Sequence, residues 1–209
     1  CSAMSRAYLP SSIWNELKPK YLSELKSVKV GSPDDFSNFM NAVIDRKAFK
    51  SITQYIKFAA ESNEAEIISG GTYDDATGYF ISPTTILTTN PSFKTLEEEI
   101  FGPILTIYIY DPSDWYDILT LIDTTSPYAL TGCVMGKNRE AIKEATDQLT
   151  HAAGNFYIND KPTGAVVGQQ PFGGSRASGT NDKAGSELNL QRWISVRTIK
   201  ETFDTPKDF

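Results

Sequence analysis

The stretch ILTIYIYDPSDWYDILTLI, residues Ile104 to Ile122, contains the clearest strand signal of the chain, followed at once by a helix signal. Ile104–Tyr110 is dense in β-branched and aromatic side chains, which favour the pleated surface of a sheet. Ser113 is placed to cap a helix whose apolar side chains recur every three or four residues, at Trp115, Ile118, Leu119 and Ile122. The stretch therefore predicts one strand–helix unit.

The same alternation of strand and helix signals continues on both sides of this unit. Helices are predicted after Ser11 or Ser12, where Pro19 should kink the helix or split it in two, and after Asp45. The other predicted elements are strands at Arg6–Leu9, Ala65–Ser69, Tyr79–Leu87 with an interruption at Pro83, Leu130–Met135 and Phe156–Ile158, and a helix at Arg139–Leu149. Strands separated by helices predict an α/β fold, with a mostly parallel open sheet and helices on both faces.

The end of the chain carries a separate strand signal. Ile194–Phe203 alternates enough to be a strand, and a polar tail follows it. We therefore divide the chain into residues 1–193, one α/β domain, and residues 194–209, a terminal strand with its tail.

Length, charge and cysteine content restrict the class of protein. A chain of 209 residues suits one domain with a full-sized core. A net charge of -6 and a pI near 4.9 argue against nucleic acid and anionic membrane surfaces as partners. No apolar run approaches the ~20 residues that span a bilayer, and no signal peptide is visible. Two cysteines are too few for a disulfide framework, so we expect a soluble protein in a reducing intracellular compartment.

A long glycine-rich segment runs from Asn155 to Gly185 and holds six of the fourteen glycines of the chain. A loop of this length inside a compact domain usually has a function, because glycines let the backbone approach a ligand closely. Free backbone N–H groups in such a loop can form a concave site for an anion. Phe172 is the one aromatic residue among small ones in PFGG, where it could cover the apolar part of a ligand. The alternative interpretation is that this glycine-rich segment is a surface loop that binds no ligand.

The residue counts exclude several kinds of catalytic site. His151 is the only histidine and lies at a predicted helix end, where a solvated histidine is the ordinary interpretation. Zinc sites built from several cysteines or histidines are excluded by number. The chain contains neither a GxGxxG motif opening a helix nor a P-loop, so most of any nucleotide site must come from residues outside it.

Two short motifs remain, and each is ambiguous when taken alone. Cys1 begins the chain beside a hydroxyl and a small residue, and a thiolate so placed could attack a carbonyl carbon. Glu99 and Phe101 precede a turn at Gly102–Pro103, which suits a carboxylate that holds a ribose and an aromatic ring that packs on a flat ligand. The alternative for the second motif is an acidic, solvated helix end. Cys133 lies in an apolar strand and is interpreted as inert core.

Taken together, these motifs resemble the aldehyde dehydrogenase family. Cys1-Ser2-Ala3, EEIFGP at Glu98–Pro103, NFYIND and PFGGSRASG at Pro171–Gly179 occur in the order and approximate spacing of that family. The longer NDKPTGAVVGQQPFGGSRASGTNDKAG resembles one branch, the Δ1-pyrroline-5-carboxylate dehydrogenases, which oxidise L-glutamate γ-semialdehyde to L-glutamate in proline catabolism. The resemblance covers essentially the whole chain and implies an aldehyde dehydrogenase catalytic domain that starts at the nucleophile.

The resemblance assigns catalytic and cofactor roles to three residues. Cys1 matches the nucleophile that forms a hemithioacetal and then a thioester. Glu99 matches the residue that holds the nicotinamide ribose of NAD, and Phe101 matches its neighbour beside the ring.

Four further residues match the substrate site of the family. Ser2, Gly164 and Ala165 match positions that hold the α-carboxylate of the substrate, and Phe172 matches the residue that lines its aliphatic part. The terminal strand resembles the one that the family uses in subunit pairing, which implies a homo-oligomer.

The chain also departs from the family pattern. The general base glutamate, an oxyanion asparagine and the NAD-binding domain precede the nucleophile in the family, and this sequence begins at Cys1. We therefore expect the 209-residue chain alone to be inactive and to bind NAD weakly or not at all. Two alternatives remain: an aldehyde dehydrogenase for an aliphatic or succinic semialdehyde, and a truncated, non-catalytic assembly module.

Overall fold

A four-stranded sheet is the centre of the fold in the computed structural model, which describes residues 1–166 and 168–208. Val167 of the glycine-rich segment and Phe209 of the tail lie outside the described residues. The strands are β1 (Arg6–Pro10), β2 (Ala65–Ser69), β5 (Thr84–Thr88) and β6 (Ile104–Tyr110), in the order β1-β6-β5-β2. β1 and β5 both pair with β6 in parallel, and β2 pairs with β5 antiparallel. The prediction of a mostly parallel sheet is confirmed.

Helices cover both faces of this sheet. Helix α2 (Arg46–Glu61) packs its apolar stripe on a core that includes Ile86 and Ile104. Helix α1 (Ser11–Lys26) lies against β1 and β6, and its Tyr21 hydroxyl contacts the hydroxyl of Thr85 at 2.5 Å. Because successive side chains of a strand point to opposite faces, Thr85 and Ile86 face different helices.

Side-chain capping is confirmed for α2 but not for α1. Helix α1 begins directly after Pro10 without a side-chain cap, so the prediction that Ser11 or Ser12 caps it is wrong. Asp45 caps α2 as predicted, and its carboxylate accepts from the Ala48 backbone N–H at 2.7 Å. Helix α1 runs as one helix through Pro19, so of the two outcomes predicted there, a kink or a split, the split is wrong. Burial of Trp14 before the proline and the contact of Tyr21 after it hold both halves of the helix to the sheet.

The strand predicted at Tyr79–Leu87 is two strands in the structure, separated at Pro83 as expected. These are β4 (Phe80–Ile81), which pairs with β3 (Tyr73–Asp74), and β5. The short helix α3 (Lys94–Glu97) follows β5. A proline has no N–H to donate to a ladder, which is why the pairing changes partner there.

After β6 the chain forms several smaller elements outside the four-stranded sheet. A 3₁₀ turn at Pro112–Asp114, capped by the Asp111 carboxylate, leads into α4 (Trp115–Thr124). Helix α4 itself has no side-chain cap among the described residues, so the prediction that Ser113 caps it is wrong. The other elements are β7 (Tyr128–Ala129), β8 (Thr131–Val134), α5 (Arg139–Gln148), β9 (Asn155–Ile158), β10 (Ser175–Arg176), α6 (Glu187–Leu190) and a 3₁₀ turn at Gln191–Trp193. β8 and β9 pair in parallel, and β10 pairs with β7 antiparallel.

The end of the chain differs from the sequence prediction. Within the described tail, residues 194–208, no strand is formed. Its apolar side chains are exposed, with Val196 at 85% and Phe203 at 94% of full accessibility. A strand needs a neighbouring strand for its N–H and C=O groups, and this chain alone provides none there. Among the described helices, none is both long and apolar enough to cross a membrane.

Candidate active site

Four separate parts of the sequence meet around one cavity of about 610 Å³. Cys1 comes from the start of the chain, Glu99 and Phe101 from the segment before β6, and Phe172 from the glycine-rich segment. The rest of the lining is Tyr128, Leu130, Gly173, Gly174, residues 177–184 and Asn189.

Sheet topology explains why the first two parts meet. Because β1 and β6 are parallel and Arg6 pairs with Thr106, the residues before both strands emerge at the same edge of the sheet. The Thr106 backbone N–H donates to the carbonyl of Ser5 at 3.0 Å, which extends the pairing towards Cys1. Cys1 is exposed and is a free thiol.

The glycine-rich segment reaches the same edge through β8 and β9. The hydroxyl of Thr131 in β8 donates to the carbonyl of Ser2 at 3.3 Å, and Thr131 is the register partner of Asn155 in β9. Asn155 begins the glycine-rich segment, so the start of that segment lies close to the residue after Cys1.

Helix α2 holds the segment that carries Glu99 and Phe101. Ile100 is buried in the same apolar core as α2. Gly102 lies directly against Ile52, so a Cβ at this position would be 2.7 Å from the Ile52 side chain. Phe101 adopts a φ of 58°, a left-handed conformation that is uncommon for residues with a side chain.

This conformation leaves both predicted cofactor residues open to solvent. The Phe101 side chain is 71% exposed although its neighbour Ile100 is 9% exposed. Glu99 is also exposed. A carboxylate beside an exposed ring fits the ribose and nicotinamide of NAD, since the one can accept from sugar hydroxyls and the other can pack on a flat ring.

Phe172 is fixed by contacts on both sides of its backbone. Its N–H donates to the carbonyl of Ala184 at 2.9 Å, and the Ala184 N–H donates back at 2.8 Å. The side chain of Asn155 bonds the two residues that flank Phe172. Phe172 therefore lines the cavity from a loop whose backbone is hydrogen-bonded on both sides of it.

The structure brings together four of the seven predicted site residues. Cys1, Glu99, Phe101 and Phe172 line the cavity, whereas Ser2, Gly164 and Ala165 do not belong to its lining. Gly164 lies in a turn in which its N–H donates to the Lys161 carbonyl at 3.0 Å.

The expectation of free amides in the glycine-rich segment is wrong for two residues. The Gly164 N–H is bonded within its own turn, and the Val166 N–H donates to Oε1 of Gln170 at 2.9 Å. Both donors are satisfied by nearby acceptors, because an amide in a loop bonds to the loop itself when a carbonyl or a side chain is within reach. Among the described residues, the Ala165 N–H makes no hydrogen bond.

Sequence reasoning missed the side chains that shape the cavity wall. Asn155 and Lys183 anchor the loop around Phe172, and Ser178 accepts from the Ala129 N–H at 2.9 Å. Arg176 pairs with Asp123 at 2.6 Å and holds the same segment to the end of α4. Asn155 could have been found from one sequence signal, namely that it is a polar residue at the start of the otherwise apolar strand NFYI.

Two further observations concern metal ligands and the second cysteine, Cys133, which is half-buried rather than part of the core. Within residues 1–166 and 168–208, no group of three or more His, Cys, Asp or Glu side chains could hold a metal ion. Burial, and then the negative charge of Asp160, raise the pKa of the Cys133 thiol, which makes it a poor nucleophile.

A model of the aldehyde dehydrogenase family matches residues 1–199. The chain belongs to this family.

The chain is similar to named members of one branch of this aldehyde dehydrogenase family. It is 59% identical over 203 residues to a protein of Dictyostelium discoideum named delta-1-pyrroline-5-carboxylate dehydrogenase, mitochondrial, covering 97% of this chain and 36% of that protein. A relative of the same name from Danio rerio is 51% identical over 203 residues, with the same two coverages. The chain therefore spans little more than a third of the length of these relatives.

Solved structures of the aldehyde dehydrogenase family show the same fold. The delta-pyrroline-5-carboxylate dehydrogenase of Mycobacterium tuberculosis matches with a TM-score of 0.85 and 46% identity, covering 98% of this chain and 37% of that one. A 1-pyrroline-5-carboxylate dehydrogenase from Thermus with bound NAD matches with a TM-score of 0.82 and 34% identity, covering 91% and 36%.

Proposed function

We propose that the intact protein oxidises L-glutamate γ-semialdehyde to L-glutamate with NAD as the oxidant. The observation that carries this proposal is the single cavity lined by Cys1, Glu99, Phe101 and Phe172. It places a free thiol, a carboxylate and two aromatic rings around one space. The similarity to relatives named delta-1-pyrroline-5-carboxylate dehydrogenase supports this substrate over other aldehydes.

Cys1 supplies the covalent chemistry of the proposed reaction. Its thiolate adds to the aldehyde carbon, and the carbonyl oxygen becomes that of a hemithioacetal. Loss of hydride from that carbon leaves a thioester on Sγ of Cys1. Attack by water on the thioester then releases the carboxylate product and restores the thiol.

Glu99 and Phe101 would hold the cofactor beside this thiol. Bound NAD supplies the hydride acceptor for the oxidation. The Glu99 carboxylate would accept hydrogen bonds from the nicotinamide ribose, and the exposed Phe101 ring would pack beside the nicotinamide. Glu99 and Phe101 line the same cavity as Cys1. The carboxylate of the one and the ring of the other therefore fit the ribose and the nicotinamide of NAD, which supports this cofactor.

Phe172 and the loop before it would hold the substrate. The Phe172 ring would cover its aliphatic carbons, while Ser2, Gly164 and Ala165 would hold its α-carboxylate, as in the family. For Gly164 this requires the N–H to exchange its Lys161 partner for the carboxylate. Local capture of this kind matters because the net charge of -6 opposes the approach of an anionic substrate.

Turnover by the intact enzyme tests this function. We expect the kcat/KM for glutamate semialdehyde to exceed that for propanal and succinic semialdehyde by at least about 100-fold, a difference that several specific contacts can supply. The Cys1→Ser variant should lose turnover and still bind NAD. Equal rates on all three aldehydes would contradict the substrate assignment, and an active Cys1→Ser variant would contradict the mechanism.

The isolated 209-residue chain provides a second test. We expect it to be inactive, because the family places the general base and the NAD-binding domain before the nucleophile. Measurable aldehyde oxidation by this chain would overturn that expectation.

We further propose that the intact protein is a homo-oligomer, of dimer size or larger, paired through residues 194–209. The exposed apolar side chains of this segment and its lack of a strand partner in the described chain support the proposal. Light scattering should show a dimer or larger assembly, and deletion of the segment should reduce the mass to that of a monomer. An unchanged mass after deletion would contradict it.

The two free thiols support a reducing compartment for the intact protein, either the mitochondrial matrix or a bacterial cytoplasm. Cell fractionation of the source organism tests this assignment. Recovery of the enzyme from an oxidising, secreted fraction would contradict it.

A further inference from the structure

The side chain of Asn155 braces the backbone on both sides of Phe172. Its Nδ2 donates to the carbonyl of Pro171 at 3.1 Å, and its Oδ1 accepts from the N–H of Gly173 at 3.1 Å. Pro171 and Gly173 are the immediate neighbours of Phe172. One planar amide therefore spans a residue that lines the cavity.

The chemistry of these contacts suits asparagine in particular. One partner is a carbonyl, which needs a donor, and the other is an N–H, which needs an acceptor, so only one orientation of the amide satisfies both. Asn155 is 8% exposed, and water therefore has little access to replace either bond. Removal of the side chain would leave two partly buried backbone groups without these partners.

Lys183 braces the same loop from the other side. Its ammonium donates to the carbonyl of Gly154 at 2.5 Å and to the carbonyl of Gly173 at 3.3 Å. The two carbonyls converge because Gly154 lies against Gly173, so closely that a Cβ on Gly154 would be 2.0 Å from the Gly173 oxygen. Two such dipoles repel each other, and a cation between them removes the repulsion.

The charge of Lys183 has no carboxylate partner in the described part of the chain, where its ammonium contacts carbonyls only. Burial lowers its pKa. A surface lysine would avoid this cost by remaining in solvent. The next residue, Ala184, exchanges two backbone bonds with Phe172, so Lys183 and Asn155 act on the same short piece of backbone.

The described neighbours of Phe172 add few other anchors. Gln169 and Gln170 are exposed and their N–H groups donate to the nearby Val166 carbonyl, and Gly173 and Gly174 follow Phe172. Glycines without such bonds would leave the backbone free to move, and the ring would move with it.

We propose that Asn155 and Lys183 are positioning residues that set the aldehyde specificity of the enzyme by fixing the Phe172 ring at the cavity wall. The inference rests on the proposed function, in which that ring covers the aliphatic part of the substrate. It differs from a general structural role in one respect. The loss should fall on substrates that reach Phe172, and it should disappear when Phe172 itself is removed.

A double-mutant cycle in the intact enzyme tests this coupling. We expect Asn155→Ala to lower kcat/KM for glutamate semialdehyde about tenfold, mainly through KM, the size of effect that one or two net hydrogen bonds can produce. The rate on acetaldehyde, which is too short to reach the ring, should remain within about twofold of the wild-type value. In the Phe172→Ala background, Asn155→Ala should cause no further loss.

Asn138→Ala is the matched control. The Asn138 side chain also makes two hydrogen bonds to the backbone, from the N–H groups of Glu140 and Ala141, but it caps α5 and does not line the cavity. It should lose stability without a change in aldehyde preference. A similar loss of preference in Asn138→Ala would show that the effect of Asn155→Ala is unspecific, and would overturn the proposal.

Lys183 provides the second variant, which keeps the test decisive if Asn155→Ala fails to fold. Lys183→Met removes the ammonium and keeps most of the chain length. It should raise KM for glutamate semialdehyde several-fold, and Lys183→Arg, which keeps the charge, should recover part of the loss. Lys143→Met, at an exposed helix position, is its control.

Hydrogen exchange gives a readout that needs no substrate. The Gly173 N–H, which bonds to Asn155, and the Phe172 N–H, which bonds to Ala184, should exchange at least about tenfold faster in Asn155→Ala and Lys183→Met than in the wild type. Unchanged exchange at both amides, or losses in kcat/KM that add fully in the Phe172→Ala background, would overturn the proposal.

These outcomes separate the inference from the proposed function. If the wild-type enzyme oxidises another aldehyde in preference to glutamate semialdehyde, the proposed function fails, and the same cycle on that aldehyde decides the role of Asn155 and Lys183. If the wild type prefers glutamate semialdehyde and the cycle shows no coupling, the positioning role alone fails.

Discussion

The hydroxyl of Tyr55 donates a hydrogen bond of 2.5 Å to Oε2 of Glu98. This bond ties helix α2 to the residue directly before Glu99. Lys94 strengthens the tie, since its ammonium lies 3.9 Å from the Glu98 carboxylate and 5.2 Å from the centre of the Tyr55 ring. A core helix thus fixes the segment that brings Glu99 and Phe101 to the cavity.

Removal of this bond should affect both stability and cofactor binding. We expect Tyr55→Phe to cost about 1 kcal/mol of unfolding free energy at neutral pH, the usual net value of one hydrogen bond. The KM for NAD should rise, because Glu99 loses its anchored neighbour. Tyr116→Phe is the matched control, since Tyr116 makes a similar 3.0 Å bond to Glu144 between α4 and α5. A rise in KM of equal size in both variants would contradict the argument.

The same bond predicts a pH dependence. The bond to Glu98, then burial and the negative charge of Glu98 raise the pKa of Tyr55 to about 12. The unfolded chain releases this proton near pH 10, so the stabilisation is complete below about pH 10 and is lost as the pH rises towards 12. In denaturation experiments, the unfolding free energy of Tyr55→Phe should therefore fall less than that of the wild type as the pH rises from about 10 to 12. A difference titration of phenolate absorbance against the wild type measures the pKa directly.

The negative charge of Glu99 should contribute to the binding of NAD. We expect Glu99→Gln, which keeps the shape of the side chain, to raise the KM for NAD about tenfold, because a neutral amide accepts more weakly from ribose hydroxyls. Glu97→Gln is the control, since Glu97 is also exposed and does not line the cavity. Titration of NAD binding by fluorescence gives the same comparison without turnover. Equal affinities in the two variants would remove Glu99 from the cofactor site.

Gly102 should tolerate no side chain while Ile52 is present. A Cβ there would be 2.7 Å from both Cδ1 and Cγ1 of Ile52, which is 1% exposed and has no room to turn away. We expect Gly102→Ala to destabilise the intact protein by about 1–3 kcal/mol, the usual cost of overpacking. In an Ile52→Ala background the same change should cost almost nothing. Chemical denaturation of the four proteins of this cycle provides the measurement, and strictly additive losses would contradict the packing argument.

Local signals in the sequence were enough to predict most of the fold. Ile104–Tyr110 is a strand and Asp45 caps a helix because both depend on residues a few positions apart. Pro19 does not split its helix, because Trp14 before it is buried and Tyr21 after it contacts Thr85 of the sheet. The tail after Trp193 was misleading, because a strand pattern forms a strand only where another strand is available.

The position of a residue at the cavity was predictable where a motif carries its own chemistry, as with Cys1, Glu99 and Phe172, which all line it. It was not predictable where the contact is distant in sequence. Asn155 reaches Gly173 across 18 residues and Lys183 reaches Gly154 across 29, and no local pattern encodes either pairing. Gly164 shows the opposite error, because the composition of a loop does not reveal which of its amides are already bonded.

Thiol reactivity distinguishes the proposed nucleophile from the other cysteine. Cys1 is exposed at the cavity, whereas burial and then Asp160 raise the pKa of Cys133, so that a smaller fraction of its thiol is ionised at neutral pH. Since only the thiolate is alkylated, iodoacetamide should modify Cys1 at least about tenfold faster than Cys133 in the folded enzyme. Mass analysis of the two cysteine peptides over time gives both rates, and bound NAD or aldehyde should slow only the first. In denaturant the rates should converge, because the burial that separates the two thiols is then gone; faster modification of Cys133 in the folded enzyme would remove Cys1 from its proposed role.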